Sequence, residues 1–245
     1  MGGRRFALYS LVPGEPYTPG SQAQASSAGA ALARFHELAE AFPEARGKSL
    51  PPGYRHAEEN ADYLLHKRGE RQEIKRLVAE FRRLDAAARS APLPETLAFG
   101  DFQPGNVLFT GDDVSGAFDL DCCHWGRRLL DVAKSVLAFS LTLQGKPGEP
   151  ATAVFSAPCA TGFLAAYAAR RPLSSAEFQV LPDTLRREVR ANALTDLRDV
   201  EQHSGRWVEH EWLLSRRQIE LIDEHCEALA SSRGNHEPDT AHRRT

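Results

Sequence analysis

Apolar residues recur along this chain in two rhythms. The three-and-four rhythm dominates. Leu32, Phe35, His36, Leu38 and Ala39 predict a helix over residues 21–42. Ile74, Leu77, Val78, Phe81 and Leu84 mark one face of a helical region over 57–90 that breaks near Gly69. Lys75, Arg76, Arg82 and Arg83 fall on the opposite face, the usual look of a solvated helix surface. Residues 128–143 are apolar nearly all round, from Leu129 and Leu130 to Phe139 and Leu141, which predicts a central buried helix. Further helices are expected near 159–170, from the capping-box pair Ser174 and Glu177 as a short element, from Pro182 to about His203, and over 208–230.

The second rhythm is that of short strands. Residues 6–12 read as one. Val107-Leu108-Phe109 and the run 114–118 read as two more, joined by Thr110-Gly111-Asp112-Asp113, a turn composition. Loops are expected at 13–20, 43–53 and 145–150, and the polar stretch 231–245 as a disordered tail. One hairpin among about seven helices gives the fold class: α+β, mainly α.

Composition narrows the function. With 245 residues, 42% apolar and 26% charged, the chain can bury a sizeable core. No apolar run approaches the ~18 residues of a membrane span. Thirty basic against 33 acidic residues argue against a protein that coats nucleic acid, so neither nucleic acid nor membrane is expected as a partner. Four cysteines do not make a disulfide framework. The apolar stretch after Arg4-Arg5 is at the short limit for a signal peptide and runs into Pro13-Gly14-Glu15-Pro16 without an Ala-x-Ala site. A soluble cytoplasmic protein is the expectation.

The hairpin is where chemistry concentrates. With Phe109 facing Val114, Val107 is expected to face Gly116, and Asn106 falls beside residues 117–119 at the open end. The preceding loop, Gly100-Asp101-Phe102-Gln103-Pro104-Gly105, brings Asp101 to the same place. Two carboxylates and an amide oxygen converge there. Oxygen ligands suit a hard cation, and Mg²⁺ takes one or two carboxylates and completes its shell with water and substrate phosphates. Asn106 and Asp119 fit that role, leaving Asp101 to face a substrate. Phosphoryl transfer needs this pairing of a metal on the phosphates with a carboxylate at the attacking hydroxyl.

These residues carry a resemblance. Gly100-Asp101, four residues, Asn106, then the hairpin and Asp119-Leu120-Asp121 are similar to the pattern of the aminoglycoside phosphotransferase and choline kinase group of the protein-kinase-like fold. The segment 126–133 resembles that group's lead into a buried helix. Residues 6–14 resemble its last N-lobe strand and interlobe hinge, and 30–36 the helix that follows. Phe99 stands where the group usually has His, at a position that packs. The resemblance implies Asp101 as catalytic base, Asn106 and Asp119 as magnesium ligands, and Asp131 as a buttress of the catalytic loop. Asp121 stays open between metal-site neighbour and structural acceptor. It also implies Leu11 and Val12 at the adenine ring of ATP, with the γ-phosphoryl group passing to a hydroxyl of a small molecule.

The resemblance starts at residue 6, with no glycine-rich strand pair and no strand lysine before it. The expected organisation is thus 1–14 as a remnant of N-lobe strand and hinge, 15–230 as a kinase-like C-terminal lobe with the N-lobe largely missing, and 231–245 as tail. The alternative is a truncated, non-catalytic kinase-like binding module, or one half of a split kinase whose N-lobe is a separate partner chain.

Other residues read more plainly. Asp112 and Asp113 are turn residues, and Cys122-Cys123-His124 lacks a second ligand pair at metal spacing. Cys159 and Cys226 are expected to fill the core, and His36 to be a bonded core histidine. Asp196, Asp199, Glu201, Glu209 and Glu211 could line a cationic pocket, but Arg186, Arg187, Arg190 and Arg198 lie among them. Trp207 and Trp212 are expected in the core.

Overall fold

The structure, a computed structural model, describes residues 11–47, 56–145, 151–205 and 208–231. Seven helices carry the described mass: α1 Gln22–Ala39, α2 His56–Arg68, α3 Gln72–Ser90, α4 Arg128–Ser140, α5 Ala157–Arg170, α6 Ser175–Ser204 and α7 Glu209–Ser231. Six short strands join them: β1 Glu95–Ala98, β2 Val107–Thr110, β3 Asp113–Ala117, β4 His124–Arg127, β5 Leu141–Gln144 and β6 Thr152–Phe155. They pair antiparallel as β1 with β4, β2 with β3 and β5 with β6.

Two apolar clusters hold the helices. The larger joins α1, α4 and α5 to the loop before β2 through Leu32, Phe99, Phe102, Val136, Phe139 and Phe163. Its rings meet edge to face, Phe35 with Phe99 and Phe99 with Phe102 each at 5.2 Å between centroids, the arrangement ring quadrupoles prefer. Helices α1 and α5 approach backbone to backbone at Gly29, where a Cβ would stand 2.2 Å from the Phe163 carbonyl oxygen, so only glycine fits. The smaller cluster packs Ala61 and Leu64 of α2 and Ile74, Leu77 and Phe81 of α3 against Leu194 and Leu197 of α6.

Helix α6 corrects one expectation. The sequence predicts a short helix ended at Pro182, and the structure has one helix of 30 residues with Pro182 inside. An internal proline costs about 3 kcal/mol through a lost hydrogen bond and a clash with the preceding turn. One side of α6 buries Leu181, Leu185 and Val189 in the larger cluster, while Leu194 and Leu197 reach the smaller one. Burial at both ends of the helix outweighs a local preference. Its start is as expected: the Ser174 hydroxyl accepts from the Glu177 N–H, and the Glu177 carboxylate accepts from the Ser174 N–H.

The strands bring four more corrections. The hairpin is one of three ladders rather than the only β element. Helix α4 stops at Ser140 instead of 143, because Leu141–Gln144 pairs with Thr152–Phe155. A uniformly apolar run does not say where a helix yields to a strand when the pairing partner is distant in sequence. Phe109 faces Val114 as expected, but a bulge shifts the register so that Val107 faces Ala117 and Leu108 faces Gly116. The expected strand 6–12 lies outside the described residues up to residue 10, and Leu11 and Val12 are not in a strand. The expected tail beyond 231 also lies outside the described residues.

The β1–β4 ladder fixes where the chemistry-bearing loop lies. It pairs Ala98 with His124 and Glu95 with Arg127, so the chain leaves β1 into residues 99–106 beside the start of β4, and enters α4 beside the start of β1.

Candidate active site

Helix α4 holds the loop 99–106 through Asp131 in its first turn. Asp131 Oδ2 accepts from the Phe99 N–H at 2.7 Å, and Oδ1 accepts from the Gly100 N–H at 2.8 Å. Gly100 has φ +84°, a left-handed conformation that glycine takes at little cost. His36 Nε2 donates to Asp131 Oδ2 at 3.0 Å, and its Nδ1 meets the Tyr167 hydroxyl at 2.8 Å. All three side chains are buried. Burial alone would push the Asp131 carboxyl up. The hydrogen bond and charge of His36 and the Gly100 and Phe99 N–H groups outweigh it and hold the carboxyl below the ordinary aspartate range. Burial pushes the Tyr167 phenol up, so it stays neutral. His36 is thus the bonded core histidine expected, and Asp131 the expected buttress of the loop.

On that support stands Asp101. Its Oδ1 accepts from Lys134 Nζ at 2.8 Å, and its Oδ2 accepts from Gln103 Nε2 and Asn106 Nδ2, each at 2.9 Å. Lys134 also donates to the Gly100 carbonyl at 2.8 Å. The Asn106 amide donates a second time, to the Asp101 carbonyl at 2.9 Å. A flipped amide would set its oxygen against two acceptors, the Asp101 carbonyl and carboxylate, so the network assigns its orientation. Asn106 therefore leaves its Oδ1 without a hydrogen bond among the described residues.

Asp119 is placed differently. The Phe118 N–H donates to the Asn106 carbonyl at 3.0 Å, so the backbone brings position 119 to the open end of the hairpin, as the sequence implies. The Asp119 side chain is exposed and makes no hydrogen bond with Asp101 or Asn106. Its φ of +63° is the one positive φ among the described non-glycine residues. Held left-handed conformations cluster where function imposes them. Asp121 is exposed in the short 3-10 turn Leu120–Cys122.

An amide oxygen and a carboxylate at one hairpin end suit a hard, oxygen-seeking cation that fills its shell with water and phosphates. No three His, Cys, Asp or Glu side chains cluster as a metal cage among the described residues. That is compatible with the two-ligand set.

Val12 and the residues after it lie alongside the hairpin. Glu15 and Phe109 exchange backbone hydrogen bonds at 2.7 and 2.9 Å, and the Ser115 hydroxyl donates to the Pro13 carbonyl at 2.7 Å. Val12 covers Gly116, while Leu11 is 94% exposed.

A cleft of about 1250 Å³ opens beside Asp101, walled by α2, α3, α4 and α6. Lys134, Arg187, Asn192 and Asp196 line it. Of the five acids the sequence offers for a cationic pocket, Asp196 alone lines this cleft, whereas Glu201 is bound by Arg68 at 3.0 Å. Solvent reaches Asp196, yet the surrounding protein, then Asp199 and Glu211, push its carboxyl up to about 6. It has no hydrogen-bond or ion-pair partner among the described residues. Lys134 and Gln103 escaped the sequence reading. Lys134 carried a signal, as the one cation within the apolar run 129–141.

A gripped aspartate, a bonded asparagine and a second aspartate thus stand around a short hairpin on a helical body. Residues 2–173 match the phosphotransferase enzyme family, and the chain belongs to that family. It is 30% identical over 185 residues to homoserine kinase of Phenylobacterium zucineum (strain HLK1), covering 74% of this chain and 53% of that protein. It is likewise 30% identical over 187 residues to homoserine kinase of Rhodopseudomonas palustris (strain TIE-1), with coverages of 74% and 53%. The chain spans about half the length of these curated relatives. Its fold is shared with choline kinase of Cryptosporidium parvum Iowa II, with a TM-score of 0.52, 13% identity and coverage of 90% of this chain and 72% of that one. It is also shared with macrolide 2'-phosphotransferase MphH of Brachybacterium faecium, with a TM-score of 0.51, 16% identity and coverages of 86% and 68%. The architecture is that of protein-kinase-like phosphotransferases, with helical content like that of their C-terminal lobe.

Proposed function

We propose that this chain carries the catalytic half of an ATP-dependent phosphotransferase acting on a hydroxyl of a small molecule. The observation that carries this reading is the bonded set Asp101, Asn106 and Lys134 at the mouth of a cleft, held on α4 by Asp131. Asp101 takes the proton of the acceptor hydroxyl. The Asn106 amide oxygen and the Asp119 carboxylate would hold Mg²⁺, which neutralises charge on the phosphates of the donor. Leu11 and Val12 border the adenine. The acceptor occupies the cleft, where the unpartnered Asp196 favours a cationic group on it. The names of the relatives put homoserine among the acceptors to try first.

The test is ATP-dependent phosphorylation by the full chain against a panel of hydroxyl acceptors, with calorimetric titration of Mg·ATP. Asp101→Ala is expected to lower kcat by about 10³-fold, the scale of a lost general base. Retention of most activity by that variant would overturn the assignment. Mg·ATP binding that appears only after a second chain is added would favour a split kinase. No binding under either condition would favour a non-catalytic module.

A further inference from the structure

The donors around Asp101 are divided unevenly between its two oxygens. Gln103 and Asn106 both donate to Oδ2. Among the described residues, Lys134 alone donates to Oδ1. An ionised carboxylate has about four lone-pair directions, two on each oxygen. Oδ2 has both occupied, so the open direction belongs to Oδ1. That oxygen is the one beside the ammonium group.

The position of Lys134 is itself informative. It sits three residues after Asp131 on α4, on the same face one turn along. Leu130, Leu137 and Ala138 of that helix line the cleft with it. The Lys134 and Asp101 side chains are 28% and 24% exposed, sheltered enough for the pair to be poorly screened. An ammonium group in such a place is costly unless it has acceptors. Lys134 finds two on the loop that carries Asp101, the Gly100 carbonyl and the Asp101 carboxylate itself.

We propose that Lys134 is a positioning residue that fixes the orientation of Asp101 and makes Oδ1 the atom that takes the acceptor proton. This rests on the reading of Asp101 as the base. In the step, the acceptor O–H bond breaks and its proton passes to Oδ1. The acceptor oxygen forms a bond to the γ-phosphorus of ATP, and the bond from that phosphorus to the β,γ-bridging oxygen breaks, leaving ADP. Lys134 keeps its proton throughout. Its positive charge stays beside the oxygen on which the reaction turns, while its bond to the Gly100 carbonyl stops the loop from rotating the carboxylate.

A double-mutant cycle on the full chain tests this, with Lys134→Met, Asp101→Asn, the double variant and Lys134→Arg. Lys134→Met is expected to lower kcat about 100-fold with the acceptor KM changed by less than about threefold. Lys134→Arg is expected to restore at least about tenfold of that loss, since it returns a cation that can reach the same acceptors. In the Asp101→Asn background, Lys134→Met should cost less than about twofold more, because the lysine acts through the aspartate. Equal losses in both backgrounds, or no rescue by arginine, would overturn the proposal.

A second readout does not depend on turnover. The ¹⁵Nζ signal of Lys134 in labelled protein should be visible, be absent from Lys134→Met, and shift in Asp101→Asn. A signal that ignores Asp101→Asn overturns the contact whatever the activity. A signal that shifts, in a chain that phosphorylates no acceptor, overturns the kinase reading and the proton-directing role while leaving the ion pair standing.

Discussion

Two carboxylates flank Asn106 in very different states. Asp101 is gripped by three side chains and stands on a loop that Asp131 holds from below. Asp119 is exposed, left-handed and without a hydrogen bond to either. The difference follows from the backbone each is attached to. The 99–106 loop lies between β1 and β2 and is buried against α4, so its polar groups must find protein partners. Residue 119 follows the end of a two-stranded ladder, where water satisfies whatever the chain does not. One half of the site is therefore pre-organised by the protein, and the other is left exposed to solvent. Pre-organised dipoles and charges are the larger part of what an enzyme offers phosphoryl transfer.

The largest stability effect is expected on the gripped side. Asp131→Ala would leave the Phe99 and Gly100 N–H groups and His36 buried without their acceptor, and should cost about 3–5 kcal/mol, read by urea denaturation. The carboxyl of Asp131 lies below its ordinary range in the folded chain. Its stabilisation is then complete above the unfolded value of about 4 and lost as pH falls through the folded value. The gap between wild type and Asp131→Asn should accordingly shrink on acidification. A gap constant from pH 7 to pH 3 would deny that the ionised form is what holds the loop.

Asp119 should behave in the opposite way. Asp119→Gly removes a left-handed strain worth about 1 kcal/mol and should leave the fold equally or more stable by thermal melting. The same variant should abolish Mg²⁺-dependent phosphoryl transfer. Full activity with raised stability would show that the residue is only a turn.

Asp196 offers the smallest and most pH-dependent effect. Its carboxyl is pushed up to about 6, so its ionisation opposes folding above that pH and not below about 4. Asp196→Asn should raise Tm slightly at pH 8 and leave it unchanged at pH 4. Against an ammonium-bearing acceptor it should also raise KM more than it lowers kcat. An unchanged KM would remove Asp196 from the acceptor site.

Much of the molecule is legible in its sequence. The helices with one apolar face appear where the spacing of three and four puts them, and the hairpin turn lies where Gly and Asp cluster. Asp101, Asn106 and Asp119 stand out by their spacing around that turn, which needs only local geometry. What the sequence hides is of another kind. The bulge that moves Val107 opposite Ala117 has no local marker. The strand Glu95–Ala98 is defined only by its distant partner His124–Arg127. Helix α6 passes Pro182 because of burial that local propensity does not record.

The sequence by itself determined the one-faced helices, the hairpin turn and the trio Asp101, Asn106 and Asp119, since periodicity, turns and caps are properties of neighbours along the chain. Only the tertiary structure decided how those residues are used. The contact between Lys134 and Asp101 crosses 33 residues, and that between His36 and Asp131 crosses 95. Which oxygen of Asp101 is left open, and which of the five acids singled out in the sequence lines the cleft, depend on how the β1–β4 ladder and the two apolar clusters lay distant segments side by side. Charges separated in sequence interact only when packing brings them together and excludes the water that would screen them.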